Sequence, residues 1–454
     1  MNITRIMAAC LMALLTLSAN AADNWKGMEK VLRRIKAPTF PNKEYLITDY
    51  HKTGDTLYTE AIQEAIDRCS AAGGGKVVVP DGTYLTGPLR MKSNVNLHLS
   101  DRAVLKFSTN PTLFPTVLTR IEGIDCYNIS PLIYAYGEDN IAVTGKGTLD
   151  GQADMTNWLG EKRRMMQKNT TGEVSEKALL VEMKTKRTPI EERRFEGNKG
   201  MRPQFINFYR CKNVLIEDIT VNRSPFWLLH PLMSQNVTVR RVTMDSHGRN
   251  NDGCDPESCT DVLIDSCYFN TGDDCIAIKS GKDEDGRVWM IPSRNIVVRN
   301  CTMNDGHAGC GIGSEITGGC ENVWVTDCTM GSPNLDRIIR IKSNPERGGE
   351  VKNVYVRNIN VAVCRLAILG IEMKYWHTET GDYPPSFHDI YLENIHSHGG
   401  KYVFHTDGIE GKNWTRGIHF KNCTFENVTD PAVNHIVGAT DVHFQNCTAN
   451  GKAM

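Results

Sequence analysis

The chain has no excess of either charge: 52 Lys and Arg stand against 53 Asp and Glu among 454 residues, a formal net charge of −1. A balance this close to neutral gives no support to a nucleic-acid partner. Long hydrophobic runs are also missing. The longest candidate, Ile6–Leu17, is too short to span a bilayer, and no later segment is long enough. Arg5 before that run and Ala19-Asn-Ala21 after it give residues 1–22 the form of a cleaved export signal. The expected location is therefore periplasmic or extracellular, in a bacterium. Two repeat signatures are absent as well. There is no Leu-x-x-Leu-x-Leu consensus for a horseshoe and no long uniform period for a propeller.

What is present is a nine-residue phrase that keeps returning. Its copies start at Asn213, Asn236, Asp261, Asn295, Asn322, Asn353, Asp389, Gly417 and Asp441, separated by 23, 25, 34, 27, 31, 36, 28 and 24 residues. In every copy the second and fourth residues are Val, Ile, Leu or Phe, the period-two burial of a strand. The sixth residue is usually Asn, Asp or Ser, which marks a bend. Short strands joined by tight bends in coils of this length predict an all-β protein, a right-handed parallel β-helix.

Cysteine is plentiful, 15 in all, of which Cys10 falls in the signal. An exported chain with so many thiols ordinarily reads as disulfide-linked. Here the seventh position of the phrase alternates Cys with Ile and Val. That makes Cys267, Cys301, Cys328, Cys423 and Cys447 a column of small apolar core residues.

The amino-terminal part fits the same body. Strands are expected at Tyr45–Tyr50, Lys76–Pro80, Asn94–Leu99 and Asn140–Thr144. An amphipathic helix over Thr59–Ala72, stopped by Gly73-Gly-Gly75, would cap the open end of the solenoid. Residues 23–454 then form one β-helix domain interrupted by a long insertion at about 155–200. Between Glu161 and Gly200 the insertion carries eleven Lys and Arg against seven Glu, which reads as a solvated loop or as a basic flap over an acidic ligand.

Chemistry-bearing residues cluster in four places. Asp273 and Asp274 sit in a strand-like apolar run, Thr271–Ser280, where burying charge is costly unless something needs it. Asp252 lies upstream, and His307 and the pair Arg340 and Lys342 lie downstream. The register brings them together. Asp273 and His307 each fall 12 residues after the start of their copies, so they should be stacked about 4.8 Å apart on successive coils. Ile276–Ser280, Cys310–Ser314 and Ile339–Ser343 are one strand on three coils, and Arg340 and Lys342 emerge on one face of it. Lys279 holds the place of Lys342 in the earlier phrase. Three crowded carboxylates raise the pKa of at least one, so that one can donate a proton while another accepts. Arg340 and Lys342 suit a sugar carboxylate. The whole points to acid–base hydrolysis of an anionic sugar polymer, with Asp255 and Glu257 as supporting residues.

Asn250-Asn-Asp252, Gly272-Asp-Asp274, Gly306-His307 and Arg340-Ile-Lys342, in this order on a β-helix, resemble glycoside hydrolase family 28, the polygalacturonases and related pectin hydrolases. The resemblance runs from about residue 45 to the end. It implies an inverting mechanism in which Asp273 is the general acid, Asp252 and Asp274 activate water, and His307 supports the protonation state of the acid. It implies that Arg340 and Lys342 bind a galacturonate carboxylate, with Asn250 and Lys279 beside them, and that no metal or organic cofactor takes part. Asn251 and Ala308 depart from the family pattern, which usually has Thr and Gly there; the Ala308 methyl should alter the cleft. The contexts Asp273–Gly286 and Ser332–Arg337 resemble the bacterial exo-acting branch. Long loops that could close one end of a groove are Glu161–Gly200, Lys282–Arg294 and Ile371–Phe387; the last carries Tyr375, Trp376 and Tyr383. Three alternatives remain: a calcium-dependent pectate lyase using Asp252, Asp255, Asp273 and Asp274, a non-catalytic glycan binder, and a rhamnogalacturonan hydrolase.

Overall fold

Every phrase copy but the one at Gly417 starts with Asn or Asp because the chain turns there into the left-handed region. Asn213, Asn236, Asp261, Asn295, Asn322, Asn353, Asp389 and Asp441 have φ between 55° and 61°, a conformation that Asn and Asp tolerate better than other side chains. The same residues stack into a ladder. Asn236 Nδ2 donates to Asn213 Oδ1 at 2.6 Å, Asn295 to Asp261 at 2.9 Å, Asn322 to Asn295 at 3.2 Å and Asn353 to Asn322 at 3.1 Å. The sixth residues Asp218, Ser266, Asn300, Asp327 and Asn358 also have positive φ, so the expected bends are real corners.

The computed structural model describes residues 25–160, 175–196 and 200–454. The expected export signal at 1–22 and residues 161–174 of the insertion lie outside the described residues. Between the corners, strands pair in parallel and in register. Val237, Val262, Ile296, Val323, Val354 and Ile390 form one inward column across six coils, all essentially buried. Burial of each contributes roughly 1.5–3 kcal/mol. Cys267, Cys301 and Cys328 form part of the same core, and the described cysteines are buried and free. The architecture is the expected parallel β-helix.

The cap helix runs Thr59–Ala71 and buries Ile62, Ala65, Ile66 and Cys69. One expected strand is shorter: Glu44–Leu46 is extended, and Ile47–Asp49 is a 3-10 turn closed by Tyr50 N donating to Ile47 O. A further helix over residues 25–34 was not expected. Met28, Val31 and Ile35 of this region lie against Val297, Trp324 and Tyr355 on the outer wall.

Three excursions from the coils meet at one place. Thr116–Ile121 and Ile124–Ile129 form an antiparallel hairpin that the repeat pattern did not reveal. The described part of the insertion is a helix, Glu176–Thr185, whose Leu180 packs with Ile121, Ile124, Cys126, Phe195 and Met201. Within the described residues this helix is a packed element and not a solvated loop. The third excursion, after Ser280, contains the short helix Asp283–Trp289. Among the described residues no helix is long and apolar enough to cross a membrane.

Candidate active site

The site lies on the face formed by the parallel strands Ile276–Ile278, Ala308–Ile312, Arg337–Lys342 and Ala367–Glu372. Ile276, Cys310 and Ile339 pair in one row, and Ala277, Gly311 and Arg340 in the next. Alternation sends Ile276 and Ile278 inward and leaves Lys279 on the opposite face. The turn before each strand carries the reactive groups. Thr271 Oγ1 donates to Asp273 O at 3.0 Å. A side chain at Gly306 would put its Cβ 2.6 Å from Asp273 O, so only glycine lets the coils approach closely enough to bring His307 onto Asp273.

Carboxylate oxygens of Asp252, Asp273 and Asp274 lie within 4.8 Å of one another. His307 Nδ1 is 2.9 Å from Asp273 Oδ1, as the register predicted. Lys342 Nζ donates to Asp274 Oδ2 at 2.6 Å, and Arg340 Nη1 stands 3.9 Å from Asp274 Oδ1. Lys279 Nζ bridges Asp252 Oδ2 and Glu315 Oε2, both at 3.4 Å, and sits 4.4 Å from the centre of the Trp227 ring. Asp273 is the most accessible of the three acids: its side chain is 21% exposed, against 5% for Asp252 and 1% for Asp274.

The acids are driven apart electrostatically. Burial and the Asp273 charge beside it push Asp252 well above the usual carboxylate range. Asp273 is also penalised by burial, yet the hydrogen bond and charge of His307 bring it down to about 2. His307 is raised in turn by its hydrogen bond to Asp273, against the opposing effect of burial. One acid is raised, as crowding requires. In the resting site, however, it is Asp252 and not Asp273, because the imidazole reaches only Asp273.

Several placements differ from expectation. Arg340 is already held by Glu372, through Nε at 3.0 Å and Nη2 at 3.1 Å, so it is not free to grip a ligand with both edges. Glu372 pairs in register with Lys342, and that alignment could have found it. Asn250 accepts from Arg202 at 2.7 Å on the flank of the site. Asn251 is buried, accepting from Gly248 N at 2.6 Å and Ser246 Oγ at 2.7 Å, and so fixes the loop that carries Asp252. Ala308 is fully buried, so its methyl does not line the open cleft. Tyr383 lies beneath Arg287 at 3.8 Å and fastens its loop to the body. Trp376 is 77% exposed, and Tyr375 stands 5.5 Å from Lys342 Nζ.

Asp255 is wholly buried with both carboxylate oxygens unpaired among the described residues, and burial pushes its pKa well up. Glu257 belongs to a dry network. Arg120 donates to it at 3.0 Å and to both oxygens of Asp125 at 3.0 and 2.8 Å, while His230 Nε2 lies 2.9 Å from the other Glu257 oxygen. Both are buried supporting groups on the irregular backbone that follows Asp252. Glu315, missed in the sequence, follows directly on the strand phrase that ends at Ser314.

The chain has relatives in both modes of attack. An exo-poly-alpha-D-galacturonosidase of Dickeya chrysanthemi is 25% identical over 431 residues, covering 88% of this chain and 70% of that protein. An endo-polygalacturonase of Pectobacterium carotovorum is 28% identical over 401 residues, covering 85% and 86%. Among solved structures, an exopolygalacturonase from Thermotoga maritima superposes with a TM-score of 0.87 at 36% identity, covering 94% of this chain and 96% of that one. The family profile of the glycosyl hydrolases family 28 matches residues 69–415. Three converging carboxylates, their imidazole and their cations thus lie on a chain that belongs to glycoside hydrolase family 28.

Proposed function

We propose that the protein is a polygalacturonase that removes single galacturonate units from the end of a pectin chain. The observation that supports the exo reading is that three excursions from the coils converge beside the acids, where they would wall off one end of a binding groove. The hairpin, the insertion helix and the helix Asp283–Trp289 meet there, fastened by Lys177–Glu122 at 2.5 Å, Lys184–Asp283 at 2.6 Å and Arg193–Asp285 at 2.6 Å. On the other side Lys342, Arg340 and Tyr375 line the approach for the rest of an anionic chain.

Asp273, the accessible acid, protonates the leaving oxygen. A single proton shared between Asp252 and Asp273 reconciles this role with the resting electrostatics. When substrate draws the proton onto Asp273, the charge that kept Asp252 neutral disappears. Asp252 then ionises and, with Asp274, takes a proton from water. Lys279 and Lys342 hold these two carboxylates in place. The oxygens lie closer together than in the usual inverting pair, where about 6.5–9.5 Å leaves room for water between acid and base. Here two buried carboxylates hold the water from one side, and the expected first product is the inverted β-anomer. Export through the amino-terminal segment belongs to the same reading, since pectin lies outside the cell.

Products from polygalacturonate followed over time test the proposal. Monomer alone from the first time points is expected, and a ladder of oligomers would overturn the exo reading. Asp273→Asn should abolish turnover while leaving the melting curve unchanged; undiminished product would refute the assignment of the acid.

A further inference from the structure

Among the described residues, the walled end of the site contains an ammonium, that of Lys282, with no bonded counter-ion. Lys282 follows the strand that carries Lys279, and its backbone N–H donates to Gly123 O at the hairpin tip, 3.1 Å away. Approach at that tip is tight. Gly123 has φ +80°, and a Cβ there would lie 2.7 Å from Lys282 Cβ and 2.9 Å from Glu315 Cγ. Glu315 in turn is joined through Lys279 to Asp252. Lys282 therefore stands between the acids and the wall.

Every nearby carboxylate already has a cation. Glu122 is taken by Lys177, Asp283 by Lys184 and by Arg347 at 3.4 Å, and Glu315 by Lys279. Lys282 Nζ makes no hydrogen bond and no ion pair among the described residues. Its side chain is half-buried. A partly desolvated ammonium with three unused donors is costly unless a ligand completes it. Burial and the positive charge of Arg347 lower its pKa, opposed by Glu122, Glu315 and Asp283; a bound anion would favour its charged form. The sugar ring that must fill this end carries one carboxylate of its own, with hydroxyls that Glu122 and Glu315 can accept from.

We propose that Lys282 binds the carboxylate of the terminal galacturonate at the closed, non-reducing end and so sets the preference for an uncapped uronate there. This rests on the exo reading above. Two substrates test it: trigalacturonate, and trigalacturonate methyl-esterified only on its non-reducing terminal carboxyl. The native enzyme should prefer the free acid by about 10- to 100-fold in kcat/KM, the worth of one charge-assisted hydrogen bond. Lys282→Met should raise KM for the free acid with little change in kcat, and its preference should collapse toward one. Lys282→Arg should restore part of it. A Lys282→Met enzyme with a native melting curve and an undiminished preference overturns the proposal; if Met prevents folding, Lys282→Gln reads the same quantity. Oligomers released by the native enzyme would instead overturn the exo reading, whatever the Lys282 variants do.

Discussion

Arg120 fastens the hairpin to the floor of the site, and replacing it by Met gives a sharp test of what the wall does. Its guanidinium is fully buried and bonded to Asp125 on the hairpin and Glu257 beneath the catalytic coil. Methionine fills the volume but leaves two buried carboxylates. Asp125 keeps Trp289 at 2.7 Å and Tyr209 at 3.1 Å; Glu257 keeps His230 at 2.9 Å and Gly281 N at 3.1 Å. Breaking one partner out of a buried ionic group costs about 3–5 kcal/mol. An unfolding entropy of about 2.1 cal/mol/K per residue over 454 residues makes 1 kcal/mol worth about 1 °C, so Tm should fall by about 3–5 °C. Burial raises both carboxyls, but Arg120, helped by Trp289 and Tyr209 at Asp125 and by His230 at Glu257, more than reverses this and holds their folded pKa values below the ordinary range. Groups depressed in this way stabilise above their unfolded values and lose that contribution as pH falls. The gap between native and variant should therefore be widest near neutrality and narrow below about pH 4. Calorimetry across pH and chromatography of products from polygalacturonate are the assays, and dimers and trimers should appear beside monomer. An unchanged Tm at pH 7 with monomer as sole product would refute the reasoning.

His307→Gln removes the partner that lowers Asp273 and is itself raised. The native ion pair contributes fully above about pH 4, is lost as pH falls through the lowered Asp273 value of about 2, and is lost on the other side as pH rises through the raised imidazole value. The alkaline limb of kcat/KM should flatten in the variant, with kcat lower by about 100-fold; a limb in the same place would count against a charged His307. Burial raises Cys69 to about 11 and Cys211 and Cys310 to about 12, and the described thiols are free. Dithiothreitol should leave Tm unchanged, and a fall would reveal a disulfide. A chelator should leave activity intact, because Lys279 and Lys342 already neutralise the carboxylates a cation would need; loss of activity would revive a metal-dependent reaction.

The period-two apolar phrase and its spacing determined the β-helix, because burial on every coil follows local pattern and parallel stacking repeats it. The same register placed Asp273 beside His307 and put Arg340 and Lys342 on one face, since equal offsets on successive coils must lie side by side. The Asn and Asp at the phrase starts were visible too, though their left-handed φ and side-chain ladder needed coordinates to appear. Tertiary structure alone decided the rest. The register puts Glu372 beside Lys342 one coil on, but only the coordinates show that it takes one edge of Arg340. The hairpin at residues 116–129 and the insertion helix leave the repeat, so the pattern says nothing of where they land. Arg120 and Glu122 of the hairpin, Lys282 and Glu315 come from three separate segments and meet only when these fold onto one end of the site. Which acid holds the proton was likewise undecidable from spacing, for it depends on burial and on which carboxylate the imidazole reaches.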